Sequence, residues 1–305
     1  MVLLFLGAFL LVSGLLARFW APGQVMKTPL DVSSVMRLTG EAQLYDGTAL
    51  VSTPVRASSV THSDSARSDG DVVVFQNSSC LVKDPDGKAP DCVSADDPQN
   101  RLVSASTDTF ATDRRTAEAV NDASYLPADA KPHQGLVNKF PFNVEKRDYM
   151  FWDGLVNKAV PATFAGEEDL DGVATYKFVV NVQDGAITIG TDPGTYSTEK
   201  TMWVDALTGS IVKQNEHQVR KMADSGQTVL DLTFGFTPET VAANIEDAKA
   251  NASKLGLLTT TVPLVGLIGG VIALFAGFVL YRREGSESAA EAGADAAPRK
   301  AAAQA

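Results

Sequence analysis

The chain has 305 residues, 45% of them hydrophobic, and carries 26 basic against 37 acidic side chains for a formal net charge of −11. This composition excludes a disordered polymer and a basic nucleic-acid binder, and it predicts one sizeable folded domain. With only two cysteines and three scattered histidines, little is available from which to build a catalytic or metal site.

Residues 2–17 hold no charge, and Arg18, Phe19 and Trp20 follow as a basic and aromatic interface group. About 20 apolar residues cross a ~30 Å hydrocarbon core as a helix. No basic region precedes the apolar run, and Pro22 stands after Ala21 where a signal peptide would be cut. Residues 1–21 are therefore predicted to be a retained transmembrane anchor rather than a removed signal.

From residue 22 to 256 the hydrophobic period is mostly two, and the apolar runs are separated by turn residues. Asp46-Gly47 divides 35–45 from 48–60, which reads as a hairpin. Runs 72–76 and 102–110 bracket the two cysteines, Cys80 and Cys92. Pro85-Asp86-Gly87 between them is a strong turn signal that brings the thiols together. A Cys80–Cys92 disulfide in an oxidising compartment is the expectation. Asn77-Ser78-Ser79 and Asn251-Ala252-Ser253 match the glycosylation acceptor triplet, a pattern common by chance.

Residues 140–153 are the most distinctive stretch, with Phe140, Phe142, Tyr149, Phe151 and Trp152 surrounding a charged group at 145–148. Two readings stand. In one, the block is core, with Tyr149, Phe151 and Asp153 on one strand face and Met150 and Trp152 on the other. In the other, the five aromatics are lipid contacts lining a groove for an acyl chain.

Glu167 to Gly172 concentrates carboxylates before a strand but lacks the spacing of an EF-hand, and it reads as a solvated acidic turn. A strand follows over 173–182, ended by Asp184-Gly185. Ser197-Thr198-Glu199-Lys200 matches a Ser-x-x-Lys pattern, yet in a strand residues three apart point to opposite faces, so chance explains it. Residues 202–205, 211–219 and 228–236 make a meander turning at Thr208-Gly209 and Asp224-Ser225-Gly226. His62, His133 and His217 are isolated in sequence and read as surface or satisfied histidines. No catalytic residue, metal site or cofactor is expected, and the chain is read as not an enzyme.

Thr237-Pro238-Glu239 opens a helix, 238–256, by threonine capping and proline at the first helical position. Residues 257–281 are uncharged and form a second transmembrane helix. Its small residues Gly266, Gly269, Gly270, Ala273 and Gly277 leave a flat stripe for a partner helix, most obviously the first segment with Gly7 and Gly14. Arg282-Arg283 then predicts a cytoplasmic end, which puts 22–256 outside the cell membrane. The tail 282–305 is low-complexity and expected to be disordered and cytoplasmic. The fold class is thus mainly β (α+β): a large antiparallel sheet or partly closed barrel, flanked by two transmembrane helices.

Several segments in order resemble an actinobacterial envelope family labelled porin PorA. They are Pro29-Leu30-Asp31, the run 107–116 (Thr-Asp-Thr-Phe-Ala-Thr-Asp-Arg-Arg-Thr), Tyr125-Leu126-Pro127, the block from Phe140-Pro141-Phe142 to Trp152-Asp153, and Tyr176-Lys177-Phe178. The resemblance covers nearly the whole chain and implies an association with lipid or lipoglycan assembly. The expected function is a non-enzymatic, membrane-anchored envelope protein that binds or transfers lipid or lipoglycan components. A porin-like channel, or a scaffold for membrane-bound envelope glycosyltransferases, is the alternative. Expected partners are membrane lipids or lipoglycans and envelope-assembly membrane proteins, with no nucleic acid. A single-chain transmembrane barrel fits poorly, because such barrels need lipid-facing alternation on every strand and no spanning helix. An oligomeric helical pore stays open.

Overall fold

The computed structural model describes residues 2–295 and divides into a β unit, Met26–Ala252, and a helical unit made from the two chain ends. Eleven strands build the β unit: β1 Ser33–Tyr45, β2 Leu50–Ser63, β3 Val72–Lys83, β4 Leu102–Asp113, β5 Ala119–Val120, β6 Tyr149–Asp153, β7 Lys158–Leu170, β8 Val173–Ile189, β9 Asp192–Asp205, β10 Ile211–Met222 and β11 Thr228–Phe236. They form one antiparallel sheet in the order β5-β4-β3-β2-β1-β11-β10-β9-β8-β7-β6. Two meanders, β1–β5 and β6–β11, are therefore joined where β1 pairs with β11, Ala42 facing Leu232. The sheet curls as a half-barrel, in agreement with the expected architecture.

Turn chemistry sets the hairpins. At the β1–β2 tip the Asp46 carboxylate accepts from the Thr48 N–H (2.8 Å), the Thr48 hydroxyl (2.7 Å) and the Ala49 N–H (3.0 Å). These bonds hold its pKa down at about 2. Between β9 and β10, Gly209 has φ +76°, and a Cβ there would strike the Phe140 carbonyl.

Some expected boundaries shift. β8 does not end at Asp184-Gly185 but passes through a bulge there and continues to Ile189. Asp184 takes φ +46°, and its N–H donates to the Ser197 hydroxyl at 2.9 Å. The residues that favour a reverse turn also favour a bulge. Similarly, β3 extends through Cys80 to Lys83, so only one of the two cysteines lies in the loop.

The main core lies over β6–β9, where Phe178, Val180, Val182, Tyr196, Met202 and Val204 are buried. A second cluster, Ala42, Val55, Leu81, Leu230 and Leu232, spans the junction of the meanders. β3 is buried on both faces, with Val72 and Val74 packing beside Ala111 and Val73 and Phe75 beside Phe110. Helix α3, Pro238–Gly256, starts where the Thr240 N–H donates to the Thr237 hydroxyl at 3.2 Å. Asn244 reaches the Val212 carbonyl (3.1 Å), and Lys249 pairs with Asp171 (2.7 Å).

In the helical unit, α1 is Val2–Phe19, α2 is Ala21–Val25, a π-helical turn covers Leu257–Thr261, and α4 is Val262–Asp295. The Thr259 hydroxyl bonds the Leu255 carbonyl at 2.8 Å next to the π turn. α1 and α4 pack glycine against backbone: a Cβ on Gly7 would lie 2.7 Å from the Leu274 nitrogen, and one on Gly270 2.9 Å from the Leu11 nitrogen. Away from this contact both helices expose apolar side chains, among them Phe5, Phe9, Val265, Ile272 and Phe275. Both are long and apolar enough to cross a membrane. α4 continues to Asp295, into the segment expected as a disordered tail, and 296–305 fall outside the described residues.

Candidate functional site

Backbone bonding brings the aromatic block onto the sheet. The Phe140 N–H donates to the Gly209 carbonyl (2.8 Å), and the Asn143 and Val144 N–H groups donate to Leu207 (2.8 Å) and Ala206 (2.9 Å). Phe140 is thereby pressed onto Phe178, ring centroids 4.4 Å apart, and stacks on Phe151 at 5.5 Å with Tyr149 edge-on at 5.4 Å. Phe140, Tyr149 and Phe151 are all buried in this cluster. Trp152 is buried elsewhere, its ring 4.6 Å from that of His133. Met150, on the same strand face as Trp152, stays exposed. Phe142 stands apart, half-buried, with the Lys139 ammonium 3.9 Å above its ring. The five candidate lipid contacts thus occupy three surroundings, and three of them form one dense aromatic packing.

Lys139 is the most perturbed cation beside this block. Burial pushes its pKa down to about 8, partly offset by the Asp205 carboxylate. Its ammonium donates to the Thr28 hydroxyl at 3.5 Å.

A buried polar wall lies across β9 and β10. Tyr196, Thr198 and Lys200 alternate on one strand face, opposite Arg220, Gln218 and Glu216 in register. Glu216 is the hub: Oε1 accepts from the Tyr196 hydroxyl (3.2 Å) and the Thr198 hydroxyl (3.0 Å), and Oε2 lies 3.4 Å from Lys200 Nζ. Asp153 on β6 accepts weakly from the Tyr196 hydroxyl at 3.4 Å. Burial works against charge on Lys200, but Glu216 and Asp153 outweigh it and raise the lysine pKa. Burial raises the Tyr196 pKa as well, reinforced by the same two carboxylates. Two acids and two bases, counting Arg220, thus share one covered surface. Sequence reasoning considered Lys200 only as partner to Ser197 and missed Glu216. Alternation of polar residues along two adjacent meander strands was the signal.

The disulfide between Cys80 and Cys92 closes with Cα atoms 5.6 Å apart. It also places Asp91, whose carboxylate takes Arg37 in a fork (3.0 and 2.7 Å) with Arg56 at 4.0 Å. Hydrogen bonding to Arg37 holds the Asp91 pKa low. Arg37, Arg56 and the first turn of α3 line a shallow cleft there. The acidic run at 167–171 is dispersed among partners: Glu167 pairs with Lys146 (2.7 Å), Glu168 accepts from the Trp203 indole (2.8 Å) and Asp171 pairs with Lys249. Asn77 of the first glycosylation triplet donates to the Ser59 and Thr61 hydroxyls from within β3. His217 pairs with Asp231 (2.8 Å), and His133 pairs with Asp108 at the same distance.

Among families, the one described as Porin PorA matches residues 1–279 of this chain. A Porin PorA of Corynebacterium amycolatum is 32% identical over 98 residues, covering 28% of this chain and 25% of that protein. A Porin PorA of Corynebacterium resistens is 23% identical over 280 residues, covering 60% of this chain and 68% of that protein. The chain therefore spans about a quarter of the first relative's length and about two thirds of the second's.

Proposed function

Because the chain belongs to the PorA porin family, we propose that it is a membrane-anchored, non-enzymatic envelope protein that forms a channel from several copies. The observation that carries this reading is the extent of the family match, which runs through the β unit and takes in both apolar helices. Elementary geometry shapes the rest. Exposed residues along β1 include Arg37, Thr39, Glu41 and Gln43, an outer face too polar for lipid. Two helices packed glycine to backbone enclose no water path by themselves. A path across the bilayer therefore needs the α1–α4 pairs of several chains, with the β unit outside the hydrocarbon region. The Arg282-Arg283 pair supports an orientation with that unit on the extracytoplasmic side and the C-terminal end in the cytoplasm.

Purified full-length chain added to a planar lipid bilayer should give discrete current steps. If chain that co-floats with liposomes passes no current, the channel reading fails. Protease applied to intact spheroplasts should digest the β unit and spare an epitope at the C-terminus; loss of the epitope would reverse the orientation.

A second reading, retention of lipid or lipoglycan, is favoured by Phe142, an accessible apolar ring beside the Lys139 ammonium. Mass spectrometry of lipid carried by the purified chain and by its Phe142→Asp variant tests it. Equal lipid on both would remove this support.

A further inference from the structure

The strands form one continuous antiparallel sheet from β5 to β6. The segment 133–137 joins the ends of the sheet at the edge strands β5 and β6. Leu136 bridges Glu118 on one side and Phe151 on the other. The joint is made by the Ala119 N–H to the Gly135 carbonyl (2.9 Å), the Leu136 N–H to Met150 (2.8 Å) and the Trp152 N–H to Leu136 (2.7 Å). Gly135 has φ +66°, and any side chain there would run into the Met150 carbonyl.

His133 fastens the segment. Its N–H donates to Asn121 Oδ1 (2.9 Å), and its carbonyl accepts from Asn121 Nδ2 (2.7 Å). Its ring lies 5.5 Å from Phe110 of β4 and 4.6 Å from Trp152 of β6, while Nε2 meets Asp108 of β4 at 2.8 Å. One side chain therefore touches both β4 and β6, from opposite ends of the strand order. The closed arrangement leaves two buried atoms, His133 Nδ1 and Asn138 Oδ1, without a hydrogen-bond partner. An unsatisfied buried polar atom is costly, and opening to water relieves it.

We propose that residues 133–137 are a strap that closes the curled sheet into a ring and releases locally, with the His133–Asp108 pair as its latch. Release wets the face of β3 and β4 on which Asn77 stands in register with Asp108.

Hydrogen exchange with mass spectrometry on the full-length chain in detergent tests it. Peptides covering 133–137 and 149–153 should exchange at least about tenfold faster than peptides from β8 and β9. Asp108→Ala should speed the strap peptides by about a further tenfold and leave β8 and β9 unchanged, whereas Asp108→Asn, which keeps an acceptor, should restore protection. Wild-type strap peptides as slow as β8 and β9 would overturn the proposal. So would an Asp108→Ala variant that speeds all peptides alike, or one that speeds none.

Discussion

Lys200 and Glu216 face one another across the β9–β10 ladder with Nζ and Oε2 3.4 Å apart and with only 18% and 5% of their side chains exposed. Such a pair is defined more by what happens when half of it is removed than by its net contribution. Glu216→Ala leaves the Lys200 ammonium covered without its paired carboxylate, and takes one of two acceptors from each of the Tyr196 and Thr198 hydroxyls. We expect a loss of about 3–5 kcal/mol in denaturant unfolding, whereas replacing Lys200 and Glu216 together by methionine should restore most of it.

Lys139 gives a pH signature. Its pKa of about 8 in the folded chain lies below the ordinary 10.5. Below about pH 8 the lysine is charged in both states, and folding bears the full cost of burying the ammonium. Between about 8 and 10.5 the folded state releases its proton while the unfolded state still holds one, so stability rises with pH. Lys139→Met should therefore stabilise the chain at pH 7 by roughly 1–3 kcal/mol. That advantage over wild type should shrink to nothing by pH 10.5 in paired thermal melts; an advantage constant with pH would refute this assignment.

Reduction of Cys80–Cys92 should act twice. Removing the cross-link should lower stability by about 2–4 kcal/mol. It should also loosen Asp91 from Arg37, whose backbone carbonyl accepts the Thr237 N–H at 2.9 Å where α3 begins. Exchange at the start of α3 should rise in a Cys80→Ser, Cys92→Ser variant. Unchanged exchange there would confine the disulfide's effect to its own loop.

The glycines of the helical unit are not equivalent. A Cβ at Gly269 meets Leu10 at an ordinary 3.8 Å, but one at Gly270 lies 2.9 Å from the Leu11 nitrogen. Spin labels at Val2 and Tyr281, both exposed, should report a narrow distance distribution in wild type and in Gly269→Ala. Gly270→Ile should broaden it by parting α1 from α4. Equal distributions in all three would show that the packing tolerates bulk.

Much of this architecture was legible because strand alternation and Asp-Gly turns are local signals. Both hairpin β1–β2 and meander β9–β11 follow from them directly. The bulge in β8 was not legible, since Asp184-Gly185 carries the same residue types as a turn, and only pairing with β9 distinguishes the two. Register also decided Glu216, whose partner lies sixteen positions away on the neighbouring strand. The aromatic density at 140–152 was readable, but density alone does not separate Phe140, packed on Phe178, from Phe142, which keeps a free face. His133 gave no sign of its position, because its neighbours Phe110 and Trp152 come from β4 and β6, strands far apart in the sheet order.

The strand order has a consequence for biosynthesis. β1 emerges early, yet its neighbour in the middle of the sheet is β11, with Leu38 paired to Phe236. Each meander is assembled from sequence-local hairpins, but the seam uniting them awaits nearly the whole chain. Loop-closure entropy makes such a long-range pairing slow. During synthesis β1 is left with one unpaired edge until residue 236 has appeared. A nascent chain of this family is thus exposed to wrong strand pairing for most of its production time, and a stop or stall before β11 leaves a half-sheet with an open edge.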